Sequence, residues 1–265
     1  MRTLQELFNL QGKAAVVTGG AGYLGRAIAE GLAEAGAAVY LVSSSGQRCK
    51  ETAEAIARTT GAACFGKAMD IRQEASVRAC IQSIAESAGS VDILVNNAAF
   101  SSAASLEAMS EEQWLTGLDG TINGTFRCVK AVLPYMVKQK GGSIINVSSM
   151  YGLVSPNPEV YGDSGMNNPA NYGAGKAAIG QFTRYIACHF GPQGIRANTV
   201  SPGPFPNAAV QAADPQFIRQ LERKNPLSRI GTPEDLKGVM VFLASAASSY
   251  VTGENISVDG GWTAW

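Results

Sequence analysis

A tyrosine and a lysine stand four residues apart in Tyr172-Gly-Ala-Gly-Lys176. On a helix that spacing puts both on one face, within reach of a common ligand. A phenol with a pKa near ~10 is a poor base at neutral pH. A neighbouring ammonium favours the phenolate and makes the tyrosine a usable proton carrier. Tyr151 and Tyr161, upstream in the same stretch, have no such partner, since Ser155 and Gly165 stand four residues after them. The stretch also contains Gly162-Asp163-Ser164-Gly165, which makes Ser164 a candidate nucleophile.

A second kind of chemistry is written near the start. Thr18-Gly-Gly-Ala-Gly-Tyr-Leu-Gly25 joins an apolar β-branched run to an Ala-rich amphipathic one. Glycines let backbone approach a pyrophosphate, and a helix N-terminus offers free amides and positive dipole to it. A carboxylate for a ribose 2′-hydroxyl belongs at the end of the next strand, where this chain has Ser43-Ser44-Ser45, with Arg48 a few residues on. Nothing acidic there repels a 2′-phosphate and no arginine of the turn grips one, so NAD and NADP both fit, with a slight lean to NADP. Asp70, with Gln73 three residues later, reads as a helix cap that could also touch adenine.

Composition removes several other functions. The 265 residues carry 21 basic and 21 acidic side chains, so no electrostatic footprint for nucleic acid or an anionic membrane exists. No apolar run approaches a membrane span and the N-terminal residues lack the apolar core of a secretory signal, so a cytoplasmic location is expected. The 5 cysteines are scattered without a CxxC pair, and the chain has 1 histidine. A thiolate cage or a multi-imidazole metal site is thereby excluded, and no metal is expected. A Ser-His-Asp triad would have to use His189, whose neighbours have helical spacing.

The elements that must position these groups alternate along the chain. Strands are expected at KAAVVT, AAVYLV, CFGKAMD, VDILVNN, SIINVSS, IRANTVS and NISVD. Helices are expected over Tyr23 to Glu34, Arg48 to Thr59, Gln73 to Ala88, Gly120 to Lys138, about Asn171 to Phe190, and after Thr232-Pro233-Glu234. Strands separated by helices imply right-handed crossovers and a parallel sheet covered on both faces. The expected fold is a single α/β domain over residues 1–265, a doubly wound, Rossmann-type parallel sheet whose ligands sit at the carboxyl ends of the strands. Two loop-rich segments, Ser155 to Asn171 and SPGPFPNAAVQAADPQ, both follow strands and should lie on that side.

Over nearly its whole length the chain resembles the short-chain dehydrogenase/reductase family. The resemblance rests on motifs in the family's order: TGGAGYLG, NNAA (Asn96 to Ala99), Ser148-Ser149, YGAGK, SPGP (Ser201 to Pro204) and VDGG (Val258 to Gly261). It implies NAD(P)(H)-dependent interconversion of a secondary alcohol and a ketone. It casts Tyr172 as general acid/base, Lys176 as the ribose-binding residue that lowers the tyrosine pKa, and Ser149 as the donor to the substrate oxygen. The implied cofactor contacts are Gly19, Tyr23, Leu24, Ser43, Ser44, Asp70, Ile71, Asn97, Ala98, Tyr172, Lys176, Pro202, Gly203 and Phe205. The family is commonly tetrameric, so a homotetramer is expected, with Trp262 and Trp265 at a subunit interface or, for Trp262, in the core.

Four departures from the family's pattern stand out. Gly22-Tyr23 in the glycine turn is similar to the family's extended branch, and Ala99 replaces a usual glycine. The family's helix asparagine falls on Thr121, with Asn123 nearby but facing elsewhere on a helix. The interval from Ser149 to Tyr172 is longer than the family's, which places an insertion, about residues 155–171, over the active site. Its Asn, Ser, Asp and Glu suit the hydroxyls of a sugar, sugar acid or polyol. Two rival readings differ in class. One is a nucleotide-binding protein without redox turnover. The other is a serine hydrolase using Ser164, whose surroundings resemble the nucleophile motif of trypsin-like proteases.

Overall fold

The computed structural model describes residues 1–162 and 167–265. In chain order the first elements are α1 (Leu4–Phe8), β1 (Ala14–Thr18), α2 (Tyr23–Glu34), β2 (Ala38–Ser43), α3 (Gly46–Thr60), β3 (Cys64–Ala68), α4 (Glu74–Ala88) and β4 (Ile93–Asn96). There follow α5 (Glu111–Leu118), a π-helical turn (Asp119–Asn123), α6 (Gly124–Lys138), β5 (Gly142–Val147), a 3-10 turn (Met150–Gly152) and α7 (Pro158–Tyr161). The last part holds α8 (Ala170–Phe190), β6 (Ile195–Pro202), α9 (Ala208–Ala213), α10 (Pro215–Lys224), α11 (Lys237–Ala244) and β7 (Asn255–Val258).

All strand pairs are parallel, and the 7-stranded sheet runs β3-β2-β1-β4-β5-β6-β7. The order reverses between β1 and β4, which opens a crevice at their carboxyl ends. The central strands β1 and β4 are buried along their whole length, as a sheet covered on both faces requires. One core layer packs Ile28, Leu32, Ile56 and Leu243 against one face; the other packs Val77, Ile81, Val129 and Ile186 against the opposite face. The expected doubly wound α/β domain is therefore the one the chain adopts.

Three expectations change. The helix expected from Gly120 is two helices joined by the π turn, and α5 begins earlier at a capping box of Ser110 and Gln113. The loop-rich segment after β6 contains α9 and α10, each started by a side-chain cap, from Asn207 and from Asp214 with Pro215 behind it. Within the insertion, Asn157 caps α7 and Pro158 occupies its first position. This part of the insertion is packed: Tyr161 stacks on Phe217 of α10 at 5.5 Å, and Val160 is buried with Leu221 and Trp262. Trp262 thus lies in a core cluster with residues of α7 and α10, whereas Trp265 is exposed.

Candidate active site

The crevice between the β1 and β4 ends is a cleft of about 540 Å³. Gly19, Tyr23, Leu24, Ser43, Ser44, Asp70, Ile71, Asn97 and Ala98 line it together, with Arg72 and Phe100 beside them. Its floor is the turn before α2. Gly19 has φ +64, a conformation that favours glycine, and a Cβ on Gly25 would strike the Gly19 carbonyl and the Asn97 amide. The helix N-cap, Gly22, supplies no side-chain cap, so the first amides of α2 face the cleft unsatisfied by a side chain. Asn97 donates to the Thr18 carbonyl at 3.0 Å, while the amides of Asn97 and Ala98 donate to the Thr18 hydroxyl. A close-approach floor with open amides fits the pyrophosphate of a dinucleotide.

The far wall differs from the cap expected of Asp70. Glu74 begins α4 after Gln73, which makes no side-chain cap, and the Asp70 carboxylate is instead held by Arg72 through Nε at 2.9 Å and Nη2 at 2.7 Å. That pairing holds the Asp70 pKa below the usual carboxylate range, chiefly through the hydrogen bonds from Arg72. The Arg72 guanidinium also lies 5.9 Å from the centre of the Phe100 ring. The only cation lining the described cleft is therefore already paired. Ser43 shares its hydroxyl with the Cys49 thiol at 3.1 Å and with the Ser45 backbone. Sequence reading missed Arg72 and Phe100, although Arg72 sits two residues after Asp70 in the same turn.

Ser149, Tyr172 and Lys176 come together where β5 meets α8. The Ser149 hydroxyl accepts the Tyr151 amide at 3.1 Å, and a hydrogen bond from it acts on Tyr172. Two bonds at 2.7 Å tie the strand end to the helix. The Ser148 hydroxyl donates to the Lys176 carbonyl, and the Lys176 ammonium donates to the Val147 carbonyl. Lys176 is 3% exposed, and burial brings its pKa down to about 8. Its Nζ lies 5.6 Å from the Tyr172 ring centre. Burial pushes the Tyr172 phenol up, and the Ser149 hydrogen bond only opposes that. Burial therefore outweighs any lowering of Tyr172 by Lys176, whose ammonium is bonded to the Val147 carbonyl.

The register of α8 is fixed from below and beside. Asn96, Asn146, Thr183 and Thr199 form a buried hydrogen-bonded chain joining β4, β5, α8 and β6. At its first turn, Asn171 donates to the Ser102 and Gln113 carbonyls, tying the helix to α5 and to the loop after β4. Thr121 donates to the Gly117 carbonyl at 2.7 Å and presses on Gly175, where a Cβ would collide with its hydroxyl. Asn123 is on the other side of the π turn, near Asp119. Thr121, not Asn123, therefore faces the helix that carries Tyr172 and Lys176.

The remaining expected groups lie elsewhere. Phe205 lines a smaller cleft of about 170 Å³ with Pro204, Asn225 and Asp259, and Pro202 and Gly203 line neither cleft. Ser164 lies outside the described residues. His189 is in the last turn of α8, about 25 Å along the axis from Tyr172 at 1.5 Å per residue, bonded to the Tyr185 carbonyl.

Comparison with known proteins gives one consistent picture. The model of a family described as enoyl-(acyl carrier protein) reductase matches residues 20–263. A 3-oxoacyl-(acyl-carrier-protein) reductase of Aquifex aeolicus is 35% identical over 252 residues, 95% of this chain and 98% of that protein. A short-chain type dehydrogenase/reductase from Mycobacterium marinum superposes with a TM-score of 0.88 at 33% identity, over 98% of this chain and 99% of that one. A gluconate 5-dehydrogenase from Burkholderia cenocepacia, solved with NADP and tartrate, superposes with a TM-score of 0.87 at 31% identity, over 99% of this chain and 100% of that one.

Proposed function

The chain belongs to the short-chain dehydrogenase/reductase family, and from that premise we propose that it interconverts a ketone and a secondary alcohol whose neighbouring carbons carry oxygen, in a sugar acid, sugar or polyol. The coarser statement stands without the proposal: the protein is an NAD(P)(H)-dependent oxidoreductase of ketone and alcohol groups. The lean to NADP agrees with the absence of a carboxylate at the end of β2 and with the NADP held by the gluconate 5-dehydrogenase.

The observation that carries the reading is the meeting of Ser149, Tyr172 and the buried Lys176, whose Nζ lies 5.6 Å from the Tyr172 ring centre. A carbonyl oxygen placed between two hydroxyls accepts from both. Tyr172, neutral at pH 7 because burial raises its pKa, gives its proton to that oxygen as the ketone becomes an alcohol. Ser149 steadies the developing negative charge during the same step. In the reverse direction Tyr172 takes the alcohol proton. Lys176 stands below to hold ribose hydroxyls and to bring positive charge near the phenol. A bound nicotinamide supplies or accepts the hydride.

The oxygenated substrate is supported by Tyr151 and Tyr161 beside the reacting groups, by the polar composition of the insertion, and by the tartrate held by the gluconate 5-dehydrogenase. A panel of sugar acids, polyols, simple ketones and a 3-oxoacyl thioester, each with both nicotinamides, tests it through the absorbance of the reduced cofactor. The reading expects the highest kcat/KM on an oxygenated compound with NADP(H). Highest activity on the thioester would contradict it. The same proposal includes a homotetramer, supported by two exposed aromatic side chains, Phe126 of α6 and Tyr185 of α8. Light scattering gives the mass directly.

A further inference from the structure

A cleft of about 400 Å³ opens at the end of the sheet opposite the dinucleotide cleft, and the two share no lining residue. Lys13 precedes β1, Asp92 precedes β4, Gly142 opens β5 and Arg196 is the second residue of β6. These strands are parallel, so the cleft lies at their amino ends. The 5 residues of β1 put roughly 16 Å of strand between it and the carboxyl-end crevice.

Arg196 is half-buried there and has no counterion. Its Nη1 donates to the Val251 carbonyl at 3.2 Å, and its Nη2 to the Leu243 and Ser245 carbonyls at 2.7 Å and 3.2 Å. Among the described residues no carboxylate pairs with it, and burial alone acts on its pKa, lowering it. Carbonyls satisfy the guanidinium hydrogens but do not neutralise the charge, and a desolvated cation without a counterion is costly. The carboxylate of the cleft, Asp92, is committed elsewhere. It accepts from the Lys13 ammonium and the Ala14 amide, each at 3.0 Å, and from the Ser90 hydroxyl at 2.6 Å. Lys140 adds an exposed cation that is in no ion pair among the described residues. It follows α6 at φ +54, a left-handed conformation that favours glycine or asparagine at a helix end. The turn is pinned in place. The Gln139 carboxamide donates to the Val91 and Gly141 carbonyls, each at 2.9 Å, and Gly194 packs so closely on the Lys140 carbonyl that a Cβ would strike it.

Lys13, Lys140 and Arg196 against Asp92 leave the cleft a net charge of +2, the match for a divalent oxyanion. We propose that this cleft binds a phosphate group, free or carried by a small metabolite, between Arg196 and Lys140. A guanidinium and an ammonium are the usual charged donors to phosphate oxygens. Bound there, the anion gives Arg196 the counterion that the protein does not provide. It therefore stabilises the folded enzyme without touching the dinucleotide. The site is independent of which ketone or alcohol the enzyme turns over.

The test follows thermal unfolding of the full-length enzyme saturated with its nicotinamide dinucleotide, which keeps phosphate out of the other cleft. Millimolar inorganic phosphate and glycerol 3-phosphate are each compared with chloride at equal ionic strength. In wild type at least one should raise Tm saturably by a few degrees, and the tighter of the two identifies a free or a carried phosphate. Lys140→Asn removes the charge yet suits the left-handed turn. It should match wild type in chloride and in dinucleotide Kd while losing most of the rise, and Lys140→Arg should keep the rise. No saturable rise, or the same rise in Lys140→Asn, would overturn the proposal. A rise that disappears once the dinucleotide is bound would place the phosphate in the other cleft and overturn it too. Equilibrium binding of labelled phosphate to the dinucleotide-saturated wild type needs no variant to fold. It should give one site per chain, and finding none would contradict the proposal directly.

Discussion

The Lys176 ammonium is bonded to the Val147 carbonyl at 2.7 Å, with no carboxylate among the causes acting on its pKa of about 8. A buried cation held by one carbonyl costs the fold stability, and the cost depends on pH. Below pH 8 the lysine is charged in folded and unfolded chains alike, and the penalty is fully present. Between about 8 and the ordinary lysine value of 10.5 the unfolded chain binds the extra proton, so stability rises with pH across that window. Lys176→Met should therefore gain on wild type by on the order of 3 kcal/mol below pH 8, at about 1.4 kcal/mol per pKa unit, less the cost of the unpaired Val147 carbonyl. That advantage should shrink as pH rises. Urea midpoints at pH 7 and pH 9.5 check this, and a pH-independent difference would contradict it.

Ser43 closes β2 at the rim of the dinucleotide cleft. Ser43→Asp should shift the ratio of kcat/KM towards NAD, since a carboxylate repels a 2′-phosphate and accepts from a 2′-hydroxyl. An unmoved ratio would mean that the adenosine ribose does not face this side chain.

Thr121 and Gly175 touch where the π turn meets α8, and a methyl group does not fit between them. Gly175→Ala should cost about 1–3 kcal/mol of stability, the usual range for overpacking, and should lower turnover by shifting the helix that carries Tyr172. Thr121→Ala in the same chain should restore part of both losses. A double-mutant cycle with no coupling would separate Thr121 from the positioning of α8.

Much of this arrangement was legible in the residues. The α2 bounds, Tyr23 and Glu34, follow directly from the apolar period and the glycine turn. The glycine turn and the end of β2 as parts of a dinucleotide cleft follow from strand ends in an alternating pattern, and the other lining residues from the family resemblance. What escaped reading has local causes. The start of α5 is marked by a Ser110 and Gln113 capping box, and α7 and α10 by Asn157-Pro158 and Asp214-Pro215, signals masked by the loop-like composition around them. The π turn has no sequence signature beyond Gly120 and Gly124, and its Thr121 meets Gly175 from a distant part of the chain. The state of Lys176 depends on burial across 29 residues of chain, which no local pattern reports. Asp70 was misread because Arg72, exposed and close in sequence, outcompetes the amides of α4 for its carboxylate.

The account turns on Tyr172 as the group that moves the proton. The most direct measurement is the rate of NADPH-dependent ketone reduction by Tyr172→Phe against wild type, with the Kd of NADPH measured on the same samples. Loss of the hydroxyl should lower turnover by at least ~10²-fold, the usual contribution of a positioned acid, while the Kd stays nearly unchanged. Tyr172→Phe turning over as fast as wild type, with cofactor bound equally well, would contradict the account at its centre.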